Sequence, residues 1–213
     1  IRSSLRGTLR RRGLVLGLSG GIDSSVCAAL AARAIGPERV HCLLMPEADS
    51  DPASLSLGQA VAEHFGLGFD IEDIAGTLAA MGCYGRRDDA IRKIVPEYGP
   101  GWASKVAIAN SLENDGYALT YLVVQSPDGE TKRHRMPADV YSGLIAATNM
   151  KQRTRKQLEY YHADRLNYAV IGTPNKLELD QGFFVKNGDG AADIKPIAHL
   201  YKSQVYQLAA ALG

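Results

Sequence analysis

Short apolar runs alternate with longer mixed segments along most of the chain, and this alternation indicates an α/β fold. Apolar runs bounded by glycine or proline predict buried strands, and longer segments that end at glycine predict helices. The predicted strands are Leu14–Leu18, Val40–Met45, Gly68–Ile74 and Tyr168–Ile171, and the predicted helices are Ser24–Ile35, Ala53–Phe65, Asn149–Leu166 and Lys202–Leu212. Strands that alternate with helices favour a doubly wound parallel sheet covered on both faces.

The pattern changes between Gly82 and Ala138. Two segments, Tyr117–Gln125 and Glu130–Arg135, flank the sequence Ser-Pro-Asp-Gly at residues 126–129. Asp-Gly between two such segments predicts a β-hairpin. We therefore predict a single domain over residues 1–213, in which residues 82–138 are an atypical insertion that contains a hairpin.

Composition narrows the class of protein. The 24 basic and 23 acidic side chains give a net charge of +1, so there is no electrostatic reason to expect a nucleic-acid partner. No apolar run reaches the roughly 18–20 residues that a membrane span needs. The three cysteines, Cys27, Cys42 and Cys83, are widely spaced, which predicts reduced thiols and a cytoplasmic location. Because the chain opens on Ile1 and stops on Gly213 directly after a helical pattern, we expect both ends of the protein to lie outside it.

The turn between the first strand and the first helix is suited to bind phosphate. Gly20 and Gly21 allow the backbone to turn tightly and to approach a ligand closely. The helix that follows presents unpaired N–H groups and the positive end of its dipole, which together favour an anion. Ser19, Ser24 and Ser25 add hydroxyl groups. This segment therefore predicts a phosphate site.

Asp23 is unexpected in such a turn, because a bare carboxylate repels phosphate. It is explained if Asp23 holds a divalent cation that bridges to the phosphates; the alternative is a packing corner in which Asp23 only caps the helix. The segment is neither a Walker A loop nor a dinucleotide fingerprint. It resembles the pyrophosphate-binding loop, S-G-G-x-D-[ST]-[ST], of the N-type ATP pyrophosphatases, and the resemblance implies cleavage of ATP into an adenylate and pyrophosphate.

Four further segments occur in order in the C-terminal third. They read N-M-K-Q-R-T-R at 149–155, G-T-P-N-K-L-E at 172–178, G-F-F-V-K-N-G-D-G-A-A-D-I-K-P at 182–196 and L-Y-K-S-Q at 200–204. Together with the loop they resemble the NAD synthetase family over Leu14 to about Ile74 and Asn149 to Gly213. The resemblance implies an adenine nucleotide alpha-hydrolase-like fold and an ATP-dependent ligase that activates a carboxylate as an acyl-adenylate and delivers ammonia to it.

The resemblance also implies roles for individual residues. ATP would contact Ser19, Gly20, Gly21, Asp23, Ser24, Ser25, Met45, Thr173 and Lys202. Asp23 and Lys202 would be catalytic, and Asp23 and Glu178 would hold Mg²⁺. The alternative for Glu178 is an exposed acid at a helix start, that for Lys202 is an exposed lysine, and that for Met45 is a place in the core. The acid, deamido-NAD, would contact Asn149, Arg153, Lys186, Asp189 and Asp193 near the interface of a homodimer; an exposed helix face is the alternative for the first two, and a glycine turn is the alternative for the other three.

The departures from the family pattern leave the acid open. Val185 stands where the family usually has threonine, residues 82–138 match no family segment, and a further C-terminal segment is absent. We see no glutaminase portion, so we expect free ammonia, or ammonia from a separate protein. Three alternatives remain: an amide ligase for another acid, a tRNA-modifying adenylase, which the neutral charge and the lack of paired cysteines disfavour, and a non-enzymatic nucleotide-binding module.

Overall fold

The structure is a computed structural model that describes residues 1–108 and 120–213. The chain divides into two compact units, one formed by Ile1–Leu78 and Lys151–Gly213 and the other by Ala79–Met150. The second unit contains the whole of the predicted insertion, residues 82–138. Among the described residues, no helix combines the length and the apolar character that crossing a membrane requires.

The elements are numbered in chain order. The strands are β1 (Leu14–Gly17), β2 (Val40–Leu44), β3 (Gly68–Ile71), β4 (Ala103–Ile108), β5 (Thr120–Gln125), β6 (Thr131–Arg135) and β7 (Ala169–Val170). The helices are α1 (Ile22–Ile35), α2 (Pro52–His64), α3 (Ala75–Ala80), α4 (Cys83–Arg92), α5 (Ala138–Leu166), α6 (Lys176–Asp180) and α7 (Lys202–Leu212). Short helical turns also occur at Ser4–Leu9 and Pro37–Arg39.

A four-stranded parallel sheet in the order β3-β2-β1-β7 forms the centre of the first unit. Leu14 pairs with Val40 on one side and with Ala169 on the other, so β1 is an interior strand and its side chains are buried. This burial on both faces explains why β1 is continuously apolar, as strands of parallel sheets generally are. The prediction of a parallel α/β sheet is confirmed.

Helices cover both faces of this sheet. On one face, α1, α2 and α7 contribute side chains to one apolar cluster with the strands, and the cluster includes Cys27, Cys42, Ala62 and Val205. On the other face, the C-terminal part of α5 packs so that the His162 ring stacks on His41 of β2, with 5.5 Å between the ring centroids. The carboxyl ends of β1 and β2 therefore open at the edge of a sheet that is covered on both sides.

The second unit contains an antiparallel sheet in the order β4-β5-β6. Gln125 pairs with Thr131, and the turn between them closes through a 2.9 Å bond from Gly129 N to Ser126 O. The predicted hairpin is therefore present; residues 117–119 of its predicted first strand lie outside the described residues. The unit has its own apolar core, formed by Ile91, Val95, Tyr98, Leu122, Val124, Met136, Val140 and Leu144.

Several elements differ from the sequence-based prediction. The third strand ends at Ile71 rather than Ile74, because the Asp73 carboxylate accepts a 2.8 Å bond from Ala75 N and starts α3. The long helix begins at Ala138, eleven residues before the predicted start at Asn149. The sequence does not reveal this start, because Gly143 interrupts the helical pattern and no capping residue marks it. Helices α3, α4 and α6 and strand β4 were not predicted.

Candidate active site

The turn that follows β1 is held against α2. Gly20 has φ +74°, a left-handed conformation that side chains with a Cβ atom rarely adopt. A Cβ atom at this position would lie 2.5 Å from Leu57 Cβ and 2.9 Å from Gly58 N, both in α2. Glycine is therefore required here for two reasons, its backbone conformation and the close approach of the neighbouring helix.

The three predicted serines organise the same turn. The hydroxyls of Ser24 and Ser25 each donate a 2.9 Å bond to Gly21 O, and the Ser19 hydroxyl accepts from Gly21 N at 3.3 Å. Ser19 Oγ and Ser24 Oγ lie 3.2 Å apart. Among the described residues, no side chain caps the start of α1, so the first-turn N–H groups remain available to an anion. The hydroxyls thus shape the turn, while the helix end supplies donors.

Asp23 is paired with Lys202, which lies at the first turn of α7. Lys202 Nζ donates to Asp23 Oδ2, whereas Oδ1 is buried and accepts no hydrogen bond from the described residues. A buried carboxylate oxygen without a partner is energetically unfavourable unless a cation or a donor completes it. Mg²⁺ prefers carboxylate oxygens and is commonly held by one or two of them together with substrate phosphates. The chemistry of Asp23 therefore fits a magnesium ligand.

Glu178, the second predicted metal ligand, takes part in a reciprocal cap at the start of α6. Its Oε2 accepts a 3.0 Å bond from Asn175 N, and Asn175 Oδ1 accepts a 3.2 Å bond from Glu178 N. This arrangement is the capping box known from helix N-termini. One carboxylate oxygen of Glu178 is thus engaged by the fold itself.

A cavity of about 610 Å³ lies at the carboxyl ends of β1 and β2. Five of the predicted site residues line it: Ser19, Ser24, Met45, Thr173 and Asp189. Gly17 lies in its wall, and a Cβ atom there would come within 2.9 Å of Glu159 Oε1 and 3.1 Å of Met45 Cε. The cavity is thus in the position where open α/β sheets bind ligands. Of the other predicted residues, Gly20, Gly21, Asp23, Ser25, Arg153, Glu178, Lys186, Asp193 and Lys202 are not among those that line it.

Five charged residues of the cavity wall were not predicted, and two of them, Lys156 and Glu159, form a buried pair. Lys156 Nζ lies 2.6 Å from Glu159 Oε2, and both side chains are buried. Burial raises the pKa of the Glu159 carboxyl, and the neighbouring Lys156 ammonium acts in the opposite direction. The two residues are three apart on α5, so they share one helix face. This spacing was the signal in the sequence that could have indicated the pair. A charged pair on a polar helix, however, usually indicates an exposed face.

Two carboxylates that were predicted to contact the substrate, those of Asp189 and Asp193, hold the segment 185–193. Asp189 Oδ1 accepts a 2.6 Å bond from Val185 N, and Asp193 Oδ2 accepts a 2.8 Å bond from Val170 N in β7. Arg153 Nε donates to Lys186 O at 3.2 Å, which ties α5 to the same segment. The Lys186 side chain is exposed. Asp189 and Asp193 therefore have structural roles that the sequence did not reveal.

Asn149, the remaining predicted substrate residue, lies on α5 in the second unit and is partly buried.

Comparison with models of protein families shows the family to which this chain belongs. The family model described as NAD synthase matches residues 1–97 and 119–213, which includes the loop at Ser19–Ser25 and the segment around Asp189. The chain belongs to the NAD synthase family. The match also extends into the predicted insertion from both sides.

Relatives within the family are similar over the whole chain. The NH(3)-dependent NAD(+) synthetase of Rhizobium rhizogenes is 70% identical over 213 residues, which is all of this chain and 64% of that protein. The protein of the same name from Mesorhizobium japonicum is 56% identical over 213 residues and is covered to 67%. This chain thus spans less than two thirds of the length of the Rhizobium rhizogenes relative.

Solved structures agree in fold. The NH3-dependent NAD synthetase from Campylobacter jejuni superposes with a TM-score of 0.66 at 28% identity, over 99% of this chain and 68% of that one. The NMN synthetase from Francisella tularensis superposes with a TM-score of 0.65 at 25% identity, over 99% and 66%. The predicted adenine nucleotide alpha-hydrolase-like fold is confirmed.

Proposed function

We propose that this chain is the catalytic part of an ammonia-dependent NAD synthetase, which converts deamido-NAD to NAD with release of AMP and pyrophosphate. The observation that carries the proposal is the turn Ser19–Ser25, in which Asp23 pairs with Lys202 through one carboxylate oxygen while its other oxygen is buried without a partner among the described residues, beside the open start of α1. The names of the relatives at 70% and 56% identity support the same activity.

The first step forms an acyl-adenylate. The carboxylate oxygen of the acid attacks the α-phosphorus of ATP, the acyl–O–P bond forms, and the bond from Pα to the bridging oxygen breaks as pyrophosphate leaves. The N–H groups at the start of α1 hold phosphate oxygens, and the turn built by Ser19, Gly20 and Gly21 positions them. Lys202 moves from Asp23 towards the leaving pyrophosphate and stabilises its charge.

Asp23 would hold Mg²⁺, with Glu178 as the second predicted ligand through the oxygen that does not cap α6. When bound, the ion neutralises phosphate charge in the transition state. In the second step, ammonia attacks the acyl carbon, the C–N bond forms, the C–O bond to AMP breaks, and a proton is released. Met45 and Thr173 line the cavity in which we place the adenosine.

The assignment of deamido-NAD as the acid rests on residues of α5 and of the segment 185–193. Arg153 and Lys186 would bind the pyrophosphate of deamido-NAD, while Asp189 and Asp193 would contact its sugar hydroxyls or the incoming ammonium. The likeness to an NMN synthetase at 25% identity motivates a second candidate, nicotinate mononucleotide, which is the acid that corresponds to NMN. Val185 removes one hydroxyl from this segment; a lost neutral hydrogen bond changes affinity by about 0.5–1.5 kcal/mol, which weakens recognition without abolishing it.

We further propose a homodimer and a cytoplasmic location. Leu177 and Phe183, near the segment that would meet the acid, are 52% and 76% exposed, which suits burial against a second copy. All three cysteines are buried, and Cys27 and Cys42 are free thiols, in keeping with a reducing compartment. Sedimentation at micromolar concentration tests the dimer; a fully active monomer would contradict it.

The experiment incubates the protein with ATP, Mg²⁺ and ammonium, together with deamido-NAD or nicotinate mononucleotide, and measures pyrophosphate and the amide product. We expect NAD from deamido-NAD, no pyrophosphate with Asp23→Asn, and strongly reduced turnover with Lys186→Ala. Asp180→Asn, an exposed acid on α6, is the matched control and retains activity. Normal turnover by Asp23→Asn would refute the assignment of the metal ligand. Conversion of nicotinate mononucleotide alone would transfer the proposal to that acid.

A further inference from the structure

A second polar cluster lies on the sheet face that α5 covers. It consists of His41 on β2, Asp70 on β3 and His162 on α5, all in the first unit. One nitrogen or oxygen atom from each of the three residues lies within 4.8 Å of the others. None of the three lines the cavity described above. The cluster is therefore separate from the residues to which we assign adenylation.

The distances within the cluster match those between the ligands of a metal ion. His41 Nε2 lies 3.0 Å from Asp70 Oδ2, and His162 Nδ1 lies 3.7 Å from the same oxygen. Two ligands at the usual zinc distances in a tetrahedral site are about 3.3 Å apart. The observed separations lie on either side of this value, so small side-chain shifts would complete the geometry.

The neighbours of His162 fix the orientation of its ring. His162 Nε2 lies 3.0 Å from Glu72 Oε1, and Nδ1 accepts hydrogen bonds from the Arg165 guanidinium at 3.0–3.3 Å. Because the guanidinium can only donate, Nδ1 carries the lone pair and Nε2 carries the proton. A carboxylate that holds the far N–H of a histidine is the usual outer partner in metal sites. The side chain is 3% exposed, so the ring is already held in place.

Arg165 now provides the positive charge of the cluster. Its Nη2 atom lies 3.0 Å from His162 Nδ1 and 3.3 Å from Asp70 Oδ2, the same two atoms that would bind an ion. The Arg165 side chain is 43% exposed, so it can leave towards solvent without being buried elsewhere. The cluster thus stabilises a cation whose position an incoming metal ion can take.

We propose that His41, Asp70 and His162 form a site for a divalent transition metal of the zinc type. Two imidazoles and one carboxylate are a common zinc ligand set, and a water molecule would complete the tetrahedron. His41 binds through Nε2 after its proton moves to Nδ1, so neither histidine has to lose a net proton. The ion would join β2, β3 and α5 and would replace Arg165.

The test titrates the metal-stripped protein with Zn²⁺ against a chromophoric competing chelator, in excess Mg²⁺ so that oxygen-rich sites stay filled. We expect one Zn²⁺ per chain, and the visible absorption of four-coordinate Co²⁺ when Co²⁺ replaces it. Asp70→Asn and His41→Gln should bind at least about tenfold more weakly, and Glu72→Gln about 10–100-fold more weakly. Arg165→Gln should bind more tightly, because the competing cation is gone. His64→Gln, an exposed histidine of the same unit, is the matched control and should not change.

Two results would overturn the proposal. One is an absence of stoichiometric Zn²⁺ binding in both the unchanged protein and Arg165→Gln. The other is equal affinity in the unchanged protein, Asp70→Asn and His41→Gln. These two positions are more exposed than His162, so the variants should fold, and circular dichroism checks that they do.

Discussion

Gly20→Ala isolates the effect of one Cβ atom on the phosphate-binding turn. Alanine in a left-handed conformation is destabilised by about 1–2 kcal/mol relative to its preferred region. The Cβ atom would also lie 2.5 Å from Leu57 Cβ, so α2 has to move away, and such overpacking typically costs about 1–3 kcal/mol. We therefore expect Gly20→Ala to lower the free energy of unfolding by about 2–5 kcal/mol.

Gly66→Ala is the matched control for this prediction. Gly66 has φ +65°, close to that of Gly20, but a Cβ atom there would have no neighbour within 4 Å in the part of the chain that the structure describes. It should therefore lose only the conformational part, about 1–2 kcal/mol. Urea denaturation followed by circular dichroism measures both variants, and isothermal titration with ATP and Mg²⁺ shows whether the movement of α2 also weakens nucleotide binding. Equal destabilisation of the two variants would refute the argument from close approach.

Three further predictions concern other buried groups. Lys156→Met leaves the Glu159 charge buried without its partner, so we expect the free energy of unfolding in urea to fall by about 3–5 kcal/mol. The double variant Lys156→Met/Glu159→Leu should restore most of this loss, and no recovery would contradict the prediction. Asp193→Ala removes the hydrogen-bond acceptor of a β7 amide and should lower the free energy of unfolding by about 1.5–3 kcal/mol. Asp193→Asn keeps an acceptor oxygen and should lower it less, and equal losses would argue against the hydrogen bond. Burial raises the pKa of the Cys27 and Cys42 thiols to about 12, so both should react with a thiol reagent at neutral pH only after denaturation, and rapid labelling of the folded protein would show that they are accessible.

The parallel sheet and the phosphate-binding turn could be predicted because their information is local. Leu14–Gly17 is apolar throughout, and a turn with two glycines leads directly into a helix, so strand, turn and helix follow from neighbouring residues. The conformational requirement at Gly20 could also be expected from its type. The close approach of Gly20 to Leu57 could not be predicted, because it depends on how α2 packs.

The second unit and the cavity wall were harder to predict because tertiary packing determines them. Helix α4 has the sequence Cys-Tyr-Gly-Arg-Arg-Asp-Asp-Ala-Ile-Arg, which has few apolar positions to reveal a period, and Ile91 is buried only through the separate core of that unit. Lys156 and Glu159 have the spacing of an exposed ion pair. Only the position of α5 against the sheet buries them, and no feature of the helix itself encodes that position.

The pairing of Asp23 with Lys202 affects the order in which charges meet in the proposed reaction. The lysine compensates the Asp23 charge before any nucleotide arrives, so an incoming polyphosphate meets a site without net repulsion from this carboxylate. In the proposed reaction, binding of ATP with Mg²⁺ would require an exchange of partners, in which Asp23 would hold the metal ion and Lys202 would contact the phosphates. The activity of Lys202→Met should therefore be lower at every magnesium concentration.

The insertion of residues 79–150 into the first unit has a consequence for synthesis of the chain on the ribosome. Strand β1 pairs with β2, which is synthesised soon after it, and with β7, which is synthesised more than 150 residues after β1. Lys202 likewise follows its partner Asp23 by 179 residues. Until then, β1 is an open and strongly apolar edge, which is the kind of strand that pairs with other chains. Nascent chains that end before Ala169 should therefore be sensitive to protease around Leu14–Gly17 and depend on chaperones, whereas chains that include β7 should be protected.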